Sequence, residues 1–551
     1  MKRFARILAL VLVLTMFAAC TQTPVNSGST PVSQSSAGAV SGTAPDATAS
    51  EFVYPMEGNP KFTYWIRLET NISPLVNNAG ETNWAKLWQE RTGVELTFEH
   101  PAGTTNDQLI EALNIVFASG NYPDIIHFDF SLMPGGVQKL YNEGIIHKLT
   151  EYIDGANPEM PNLKAALESK EEWDYLTRAD DSEIYRIPPL MDGVLLAISQ
   201  GAIVRNDLLK KYNLSPPETI AEWDNVLTTI MKNGDVEIGF IHEQYSRFLE
   251  LWVRAWGITD AFYQRDGVVK FGPMEPEYKE FMATMADWYA RGLIDQNFIN
   301  GKRQDQDAAY SSGRAFATMA SGGQGLGVFI PLLEQNLPEA ELLAIPRPVL
   351  NHGDQVSDLP VWLVKSQGQA VITSNVKDDR MAQALRFMDY YYSEEGQVLS
   401  NWGIEGESFY YDSDGKPHYG EEITNHPDRS FAQSLAFWCL VNTNGPFMQQ
   451  EGYIIDYWQH PIQRDAFTAW HKNLKYDSGN LDATTFTAEE ASEFSRVYRD
   501  IKSYVDENTQ LFIRGDKPLS EFDSFVADLE KMNVAQAIQL RQDAYDRFAN
   551  R

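Results

Sequence analysis

The sequence predicts an α/β fold of two lobes joined by hinge strands, with a helical section at the C-terminal end. Apolar positions alternate between strand-like and helix-like spacing from Phe62 to Phe128, the pattern of β-α-β units and a mostly parallel sheet. Roughly 500 residues lie beyond a polar N-terminal stretch, more than one hydrophobic core holds. Extended apolar stretches interrupt the helical blocks at Glu183 to Ile198 and at Val371 to Asn375, where the chain is expected to cross between lobes.

The first elements follow from local signals. Phe62 to Arg67 reads as a strand, Asn83 to Thr92 as a helix stopped by Gly93, and Val94 to Glu99 as a second strand. Asp107 to Ser119 sets Leu109, Ala112, Leu113, Val116 and Phe117 on one helical face, Gly120 ends it, and Asp124 to Phe128 supplies a third strand. In open sheets of this kind solutes bind beyond the carboxyl ends of the strands, which singles out Glu69 and Asp129. Helices are expected at Asn206 to Tyr212, Thr219 to Met231, Phe248 to Trp256, Pro276 to Arg291 and Asp378 to Tyr392. A strand at Ala315 to Ala320 leads into the glycine-rich Ser321 to Gly327. That cluster lacks the Rossmann spacing and reads as a loop allowing close backbone approach, not a nucleotide site. Thr487 to Asn508 and Ser520 to Ala549 are helical and would brace the second lobe.

The N-terminus orders Lys2, Arg3 and Arg6, an uncharged run from Ile7 to Phe17, then Ala18, Ala19 and Cys20. A charged region followed by a short apolar run is an export signal, shorter than the ~20 apolar residues a permanent span needs. Residues 1–19 are expected to be a lipoprotein signal peptide. Cys20 stands first in the mature chain, as in a bacterial lipobox, although Phe17 occupies a place where Leu is usual. Its thiol would carry diacylglycerol, with palmitate among the acyl chains, and two chains hold a protein stably on a membrane where one does not. The remainder of residues 20–51 is almost entirely Ser, Thr, Ala, Gly, Pro and Gln, a flexible tether. No later segment is a long uncharged apolar run, so the body is expected at the extracellular face of the cell membrane.

Removing residues 1–19 takes three positive charges and no acidic ones off a formal charge of −31, leaving −34. That argues against nucleic acid and polyanionic ligands as partners. Cys439 is the only other cysteine and lies in an apolar run, Leu435 to Leu440, so it reads as core rather than nucleophile. With no H-E-x-x-H, no G-x-S-x-G and scattered histidines, hydrolase motifs are lacking.

Several segments, in order and spanning nearly the whole mature chain, resemble the family 1 extracellular solute-binding proteins of ABC importers, in particular the long lipoprotein subgroup of Gram-positive bacteria. They include Ala118-Ser119-Gly120-Asn121-Tyr122-Pro123-Asp124, Gly144 to Thr150, Ile184-Tyr185-Arg186-Ile187-Pro188, Val204 to Leu209 and Pro217 to Trp223. Gly292 to Asp295, Tyr392 to Gly396, Trp402 to Glu407 and Gln542 to Phe548 continue the series. The resemblance implies a two-lobed periplasmic-binding-protein-like fold (type II) that closes over a solute without chemistry on it. Lobe 1 is expected at residues 52–195 and 366–425, and lobe 2 at 196–365 and 426–551.

Some relatives that bind long sugars carry a calcium loop. The nearest pattern here, Asp412-Ser413-Asp414-Gly415, has Ile423 where the closing glutamate would stand and reads as a turn. No metal and no cofactor are expected. The 13 Trp and 25 Tyr suit a carbohydrate, whose C–H faces stack on aromatic rings and whose hydroxyls take polar edges. Trp65, before Glu69, lies on a strand-loop that reaches the cleft in sugar-binding members. Glu243 and Tyr245 look like the family's contacting loop in the second lobe, Trp256 sits near a helix end, and Trp402 precedes Gly403 where the family tends to approach solute. The expectation is a monomeric lipoprotein that captures a carbohydrate, an oligosaccharide rather than a single ring, and hands it to ABC permease subunits. The alternatives are a peptide-binding or sensor-accessory protein and a tethered glycoside hydrolase, which would need two paired acids.

Overall fold

A computed structural model of the chain describes residues 52–551 except 104, 194–195, 197–199, 357–362, 378, 442–444, 459, 476–480 and 482–483. The expected signal peptide, Cys20 and the tether to residue 51 lie outside the described residues. No described helix is long and apolar enough to cross a membrane.

The first sheet runs in the order Gln369–Ile372, Ile125–Phe128, Lys61–Trp65, Glu95–Glu99. Lys61–Trp65 is parallel to both Glu95–Glu99 and Ile125–Phe128, as the alternation predicts. Gln369–Ile372 arrives from far along the chain and pairs antiparallel, Ala370 opposite His127. The helix Asn83–Thr92 begins where the Thr82 side chain accepts from the Ala85 N–H and buries Trp84, Ala85 and Trp88. Gly93 ends it at φ 73°, and a Cβ there would meet the Met56 backbone at 2.8 Å, so both conformation and space require glycine.

The second sheet runs Leu342–Ala344, Gln200–Arg205, Ala315–Ser321, Ile238–Ile241. Only its last pair is parallel, so the mostly parallel pattern belongs to the first sheet alone. Gln200 lies opposite Ser321: one strand enters the lobe at the end where its neighbour leaves, which forces them to run in opposite directions. Beneath this sheet Trp252 stands edge-on to Trp223 and Trp288, with ring centroids 5.1 and 5.0 Å apart. The helix Ala488–Arg514 adds Phe494, Val497, Ile501, Val505 and Phe512 to that core at helical spacing.

Ser321 to Gly327 corrects its sequence reading. Rather than a loop, Gly322–Leu326 forms a helical turn that runs into the helix Gly327–Asn336. The close approach is nevertheless present. A Cβ on Gly322 would lie 2.2 Å from the Trp458 ring, and Gln463 Nε2 donates to the Gly322 carbonyl at 2.6 Å.

Three segments join the lobes. Leu190–Asp192 pairs in parallel with Met448–Gln450; Met191 N donates to Leu363 O at 2.9 Å and Lys365 N to Pro189 O at 3.1 Å. The second of these segments precedes the strand Gln369–Ile372, near the crossing expected there. The third moves the expected change of lobe at residue 426. Leu435, Cys439, Leu440, Val441 and Phe447 fill the first core, because the apolar helix Phe431–Trp438 packs Phe431 edge-on to Tyr419 at 5.8 Å. Ala466 and Trp470 belong to a cluster with Ile203 and Phe329 of the second lobe. Cys439 is fully buried and burial pushes its thiol pKa up, in keeping with a core role.

The strands Phe409–Tyr411 and Pro417–Tyr419 form a hairpin over the turn Asp412 to Gly415. His418 Nδ1 lies 2.7 Å from Asp456 Oδ1 and its Nε2 lies 3.2 Å from Asp412 Oδ2. The Asp456 hydrogen bond first, then Asp412, raise the imidazole pKa.

Two predictions follow from this packing. Gly322→Ala should lower stability by about 1–3 kcal/mol through overpacking against Trp458, while Gly327→Ala, whose Cβ meets nothing closer than 3.7 Å, should not; thermal melts that match for the two variants refute the close-approach reading. Because its folded pKa is raised, the His418 contribution should be complete below its ordinary pKa of about 6.5 and lost as pH rises through the raised value. The stability difference between wild type and His418→Gln should therefore shrink with rising pH, and a constant difference would contradict the ion-pair account.

Candidate functional site

Two hollows open beyond the carboxyl ends of the first-sheet strands. The smaller has a volume of about 100 Å³ and is lined by Arg67, Glu69, Asn106, His127, Asp129 and Gln367, among others. The larger, about 430 Å³, lies between the two lobes. Its first-lobe wall is the loop Phe130 to Val137, its floor by the crossings carries Arg186 and Gln369, and its far wall is Phe486, Phe494, Ser495 and Arg541 of the C-terminal section. The two hollows meet at Leu132.

Glu69 and Asp129 stand where the strand-end rule puts them. Glu69 Oε1 pairs with Arg67 Nη2 at 2.6 Å, and its carbonyl accepts from Ile72 N and Ser73 N, turning the chain away from the strand. Asp129 Oδ1 accepts from Ser131 N at 3.1 Å and Ser131 Oγ at 2.5 Å, capping the turn Phe130–Leu132. Its Oδ2 accepts from Ser366 Oγ at 3.1 Å, which ties the loop to the crossing. Each carboxylate is held in place and lines the smaller hollow.

The other expected residues are placed differently. Trp65 is 3% exposed and packs edge-on to Phe128; its neighbours Ile66 and Arg67, not its ring, line the smaller hollow. Trp256 packs on Phe281 with centroids 5.5 Å apart inside the second core. Trp402 is 2% exposed, lies against Tyr419, and spends its indole N–H on Gln450 Oε1 at 2.8 Å. These three rings are core residues, because the space over each is filled by another side chain. Glu243 takes a 3.5 Å ion pair with Arg303, and its N–H donates to Gln306 Oε1. Tyr245 packs on Phe298, and burial pushes its phenol pKa up. Neither lines either hollow.

The groove residues that sequence reasoning passed over come from distant parts of the chain. Arg541 is set over Phe486 and Phe494, its guanidinium carbon 4.7 and 4.8 Å from their ring centres. Only Arg186 carried a readable signal, as a charged residue inside the apolar run Ile184 to Pro189.

Trp402→Ala should cost about 3–5 kcal/mol as a large-to-small core change. Glu69→Gln and Asp129→Asn, the latter keeping a capping side chain, should leave thermal melting unchanged while altering affinity for a bound solute. A Trp402→Ala variant that melts like wild type but loses affinity would return that ring to the site.

A family model described as bacterial extracellular solute-binding protein matches residues 73–398, more than half of the chain. The fructooligosaccharide ABC transporter substrate-binding protein FusA of Streptococcus pneumoniae is 23% identical over 537 residues, covering 91% of this chain and 94% of that protein. The polygalacturonan/rhamnogalacturonan-binding protein YtcQ of Bacillus subtilis is 21% identical over 449 residues, 79% of this chain and 83% of its own. Among solved structures, the alginate-binding protein AlgQ2 without calcium ion aligns with a TM-score of 0.67 at 24% identity, over 89% of this chain and 99% of that one. FusA in complex with kestose aligns with a TM-score of 0.63 at 19% identity, over 89% and 100%. The solved structures share the two-lobed fold, and the matched model names the family: this chain belongs to the bacterial extracellular solute-binding proteins.

Proposed function

We propose that the chain captures a carbohydrate, an oligosaccharide rather than a single ring, between its lobes and delivers it unaltered to an ABC permease. The observation that carries this reading is the interlobe groove, where Leu132, Pro134 and the open part of Phe486 offer apolar surface and Ser131, Ser366 and Thr484 offer hydroxyls. Sugar rings present C–H faces to the former and hydroxyls to the latter. With a cavity volume of about 430 Å³ the groove falls within the range of roughly 300–1,000 Å³ common for small-molecule sites. FusA and YtcQ, named above for the oligosaccharides and polysaccharides they bind, support the same class of solute. Glu69 and Asp129 are the carboxylates we assign to solute hydroxyls. Lobe 1 then comprises residues 52–195 and 366–450, and lobe 2 residues 196–365 and 451–551.

The protein acts as a monomer at the extracellular face of the cell membrane, held by lipid on Cys20 after removal of residues 1–19. Two acyl chains give it a stable anchor, and the polar tether to residue 51 lets the folded body turn toward a permease. Members of this family bind rather than convert their solutes, and the chain is assigned no catalytic residue.

Incubation with a panel of oligosaccharides should raise the melting temperature with some members and leave every one of them intact by chromatography. Product formation, or stabilisation by dipeptides and not by sugars, overturns the proposal. Separately, Cys20→Ala should abolish palmitate labelling; a variant still labelled rejects the lipid anchor.

A further inference from the structure

The interlobe groove is lined by cationic side chains and, among the described residues, by no anionic ones. Among its described lining residues there are two arginines, Arg186 and Arg541, and no Asp, Glu or Lys. That is the reverse of the chain as a whole, which has 76 acidic and 45 basic residues. Arg186 donates from Nη2 to the Leu176 carbonyl at 2.9 Å, and its buried Nε has no hydrogen-bond partner. Asp129 and Asp180 act on it through space, but Arg186 forms no ion pair among the described residues. Gln369 beside it is 1% exposed, gives Nε2 to the Lys365 carbonyl at 3.3 Å, and leaves Oε1 unsatisfied.

A buried guanidinium without an anion is costly, and a buried amide oxygen without a donor costs the desolvation of that atom. Burial first, and then the neighbouring Arg551 charge, lower the Arg186 pKa to about 10, with Asp129 and Asp180 opposing. Both residues line the same groove. A ligand that carries a carboxylate next to a hydroxyl suits both side chains, the carboxylate accepting from the Arg186 guanidinium and the hydroxyl donating to the Gln369 amide oxygen once the side chain turns toward the groove. Arg541, held over Phe486 and Phe494, adds positive charge from the opposite wall.

Resting on the carbohydrate reading above, we infer that the bound saccharide is acidic, with at least one uronate ring whose carboxylate sits against Arg186 and a hydroxyl against Gln369. A ligand with few charges is consistent with the overall acidity of the protein, since charges beyond about 8 Å are largely screened at physiological salt. A carboxylate seated on Arg186 is within the range of strong charge-assisted bonds.

The test is calorimetry on the full chain with galacturonate, glucuronate, mannuronate and guluronate trisaccharides, each beside its neutral, carboxyl-reduced counterpart. At least one uronate should bind about tenfold to a hundredfold more tightly than its neutral counterpart, the span a hydrogen bond to a charged group supports. Arg186→Gln should erase that preference and leave neutral-sugar affinity as it was; Arg186→Lys should keep part of it. Melting curves of both variants report whether the fold is intact, and the wild-type comparison of charged with neutral sugars stands without them. Neutral sugars bound as tightly as uronates would overturn this inference and leave carbohydrate capture standing. Binding of none of the eight saccharides, with peptides bound instead, would overturn both.

Discussion

The arrangement of the molecule depends on three chain segments lying side by side where the lobes meet. Leu190–Asp192 is bonded to Met448–Gln450 on one side and to the segment at Leu363 and Lys365 on the other. A single connecting strand would let two bodies swing in any direction; three strands that share hydrogen bonds limit them to bending about the axis across the strands. The Lys365 ammonium, bonded to Gln449 Oε1 at 2.9 Å, cross-links two of these segments. Burial depresses its pKa to about 8. Closure over a solute is then a hinge motion between bodies that stay rigid.

Each body owes its rigidity to different chemistry. In the first lobe Asp124 accepts from Thr63 N at 2.9 Å, from Asn375 Nδ2 at 2.9 Å and from Arg380 Nη2 at 3.0 Å. That carboxylate joins two parallel strands to the helix Asp379–Asp389 across a large sequence separation. The second lobe relies on apolar packing around Trp252, closed by the C-terminal helices. Those helices also reach the first lobe: Tyr175 Oη donates to the Phe548 carbonyl at 3.1 Å, and Arg551 donates to the carbonyls of Tyr175 and Arg178. The C-terminal section braces the second lobe, as its apolar period suggested, and also forms the far wall of the groove.

Local signals were legible in the sequence because they act over a few residues. Gly93, Gly120 and Gly234 each end a helix in the left-handed conformation, and Glu69 and Asp129 follow their strands. The aromatic candidates were not legible: an indole at Trp65, Trp256 or Trp402 is equally compatible with a core or a sugar platform until the neighbour above the ring is known. Arg186, Gln369, Phe494 and Arg541 meet only through tertiary structure, so no window of sequence brings them together. The lobe change expected at residue 426 failed for a related reason, since the apolar face of Phe431–Trp438 does not state which of two cores it will enter.

That late return of the chain has a consequence for how the protein is made. The first lobe begins at Phe52, yet its core is incomplete until Leu435, Val441 and Phe447 are available, well after the whole sheet of the second lobe has been synthesised. Such long-range closure slows folding and leaves an early polypeptide loosely structured. Its two bodies therefore reach their final packing together, late in synthesis, and not one after the other.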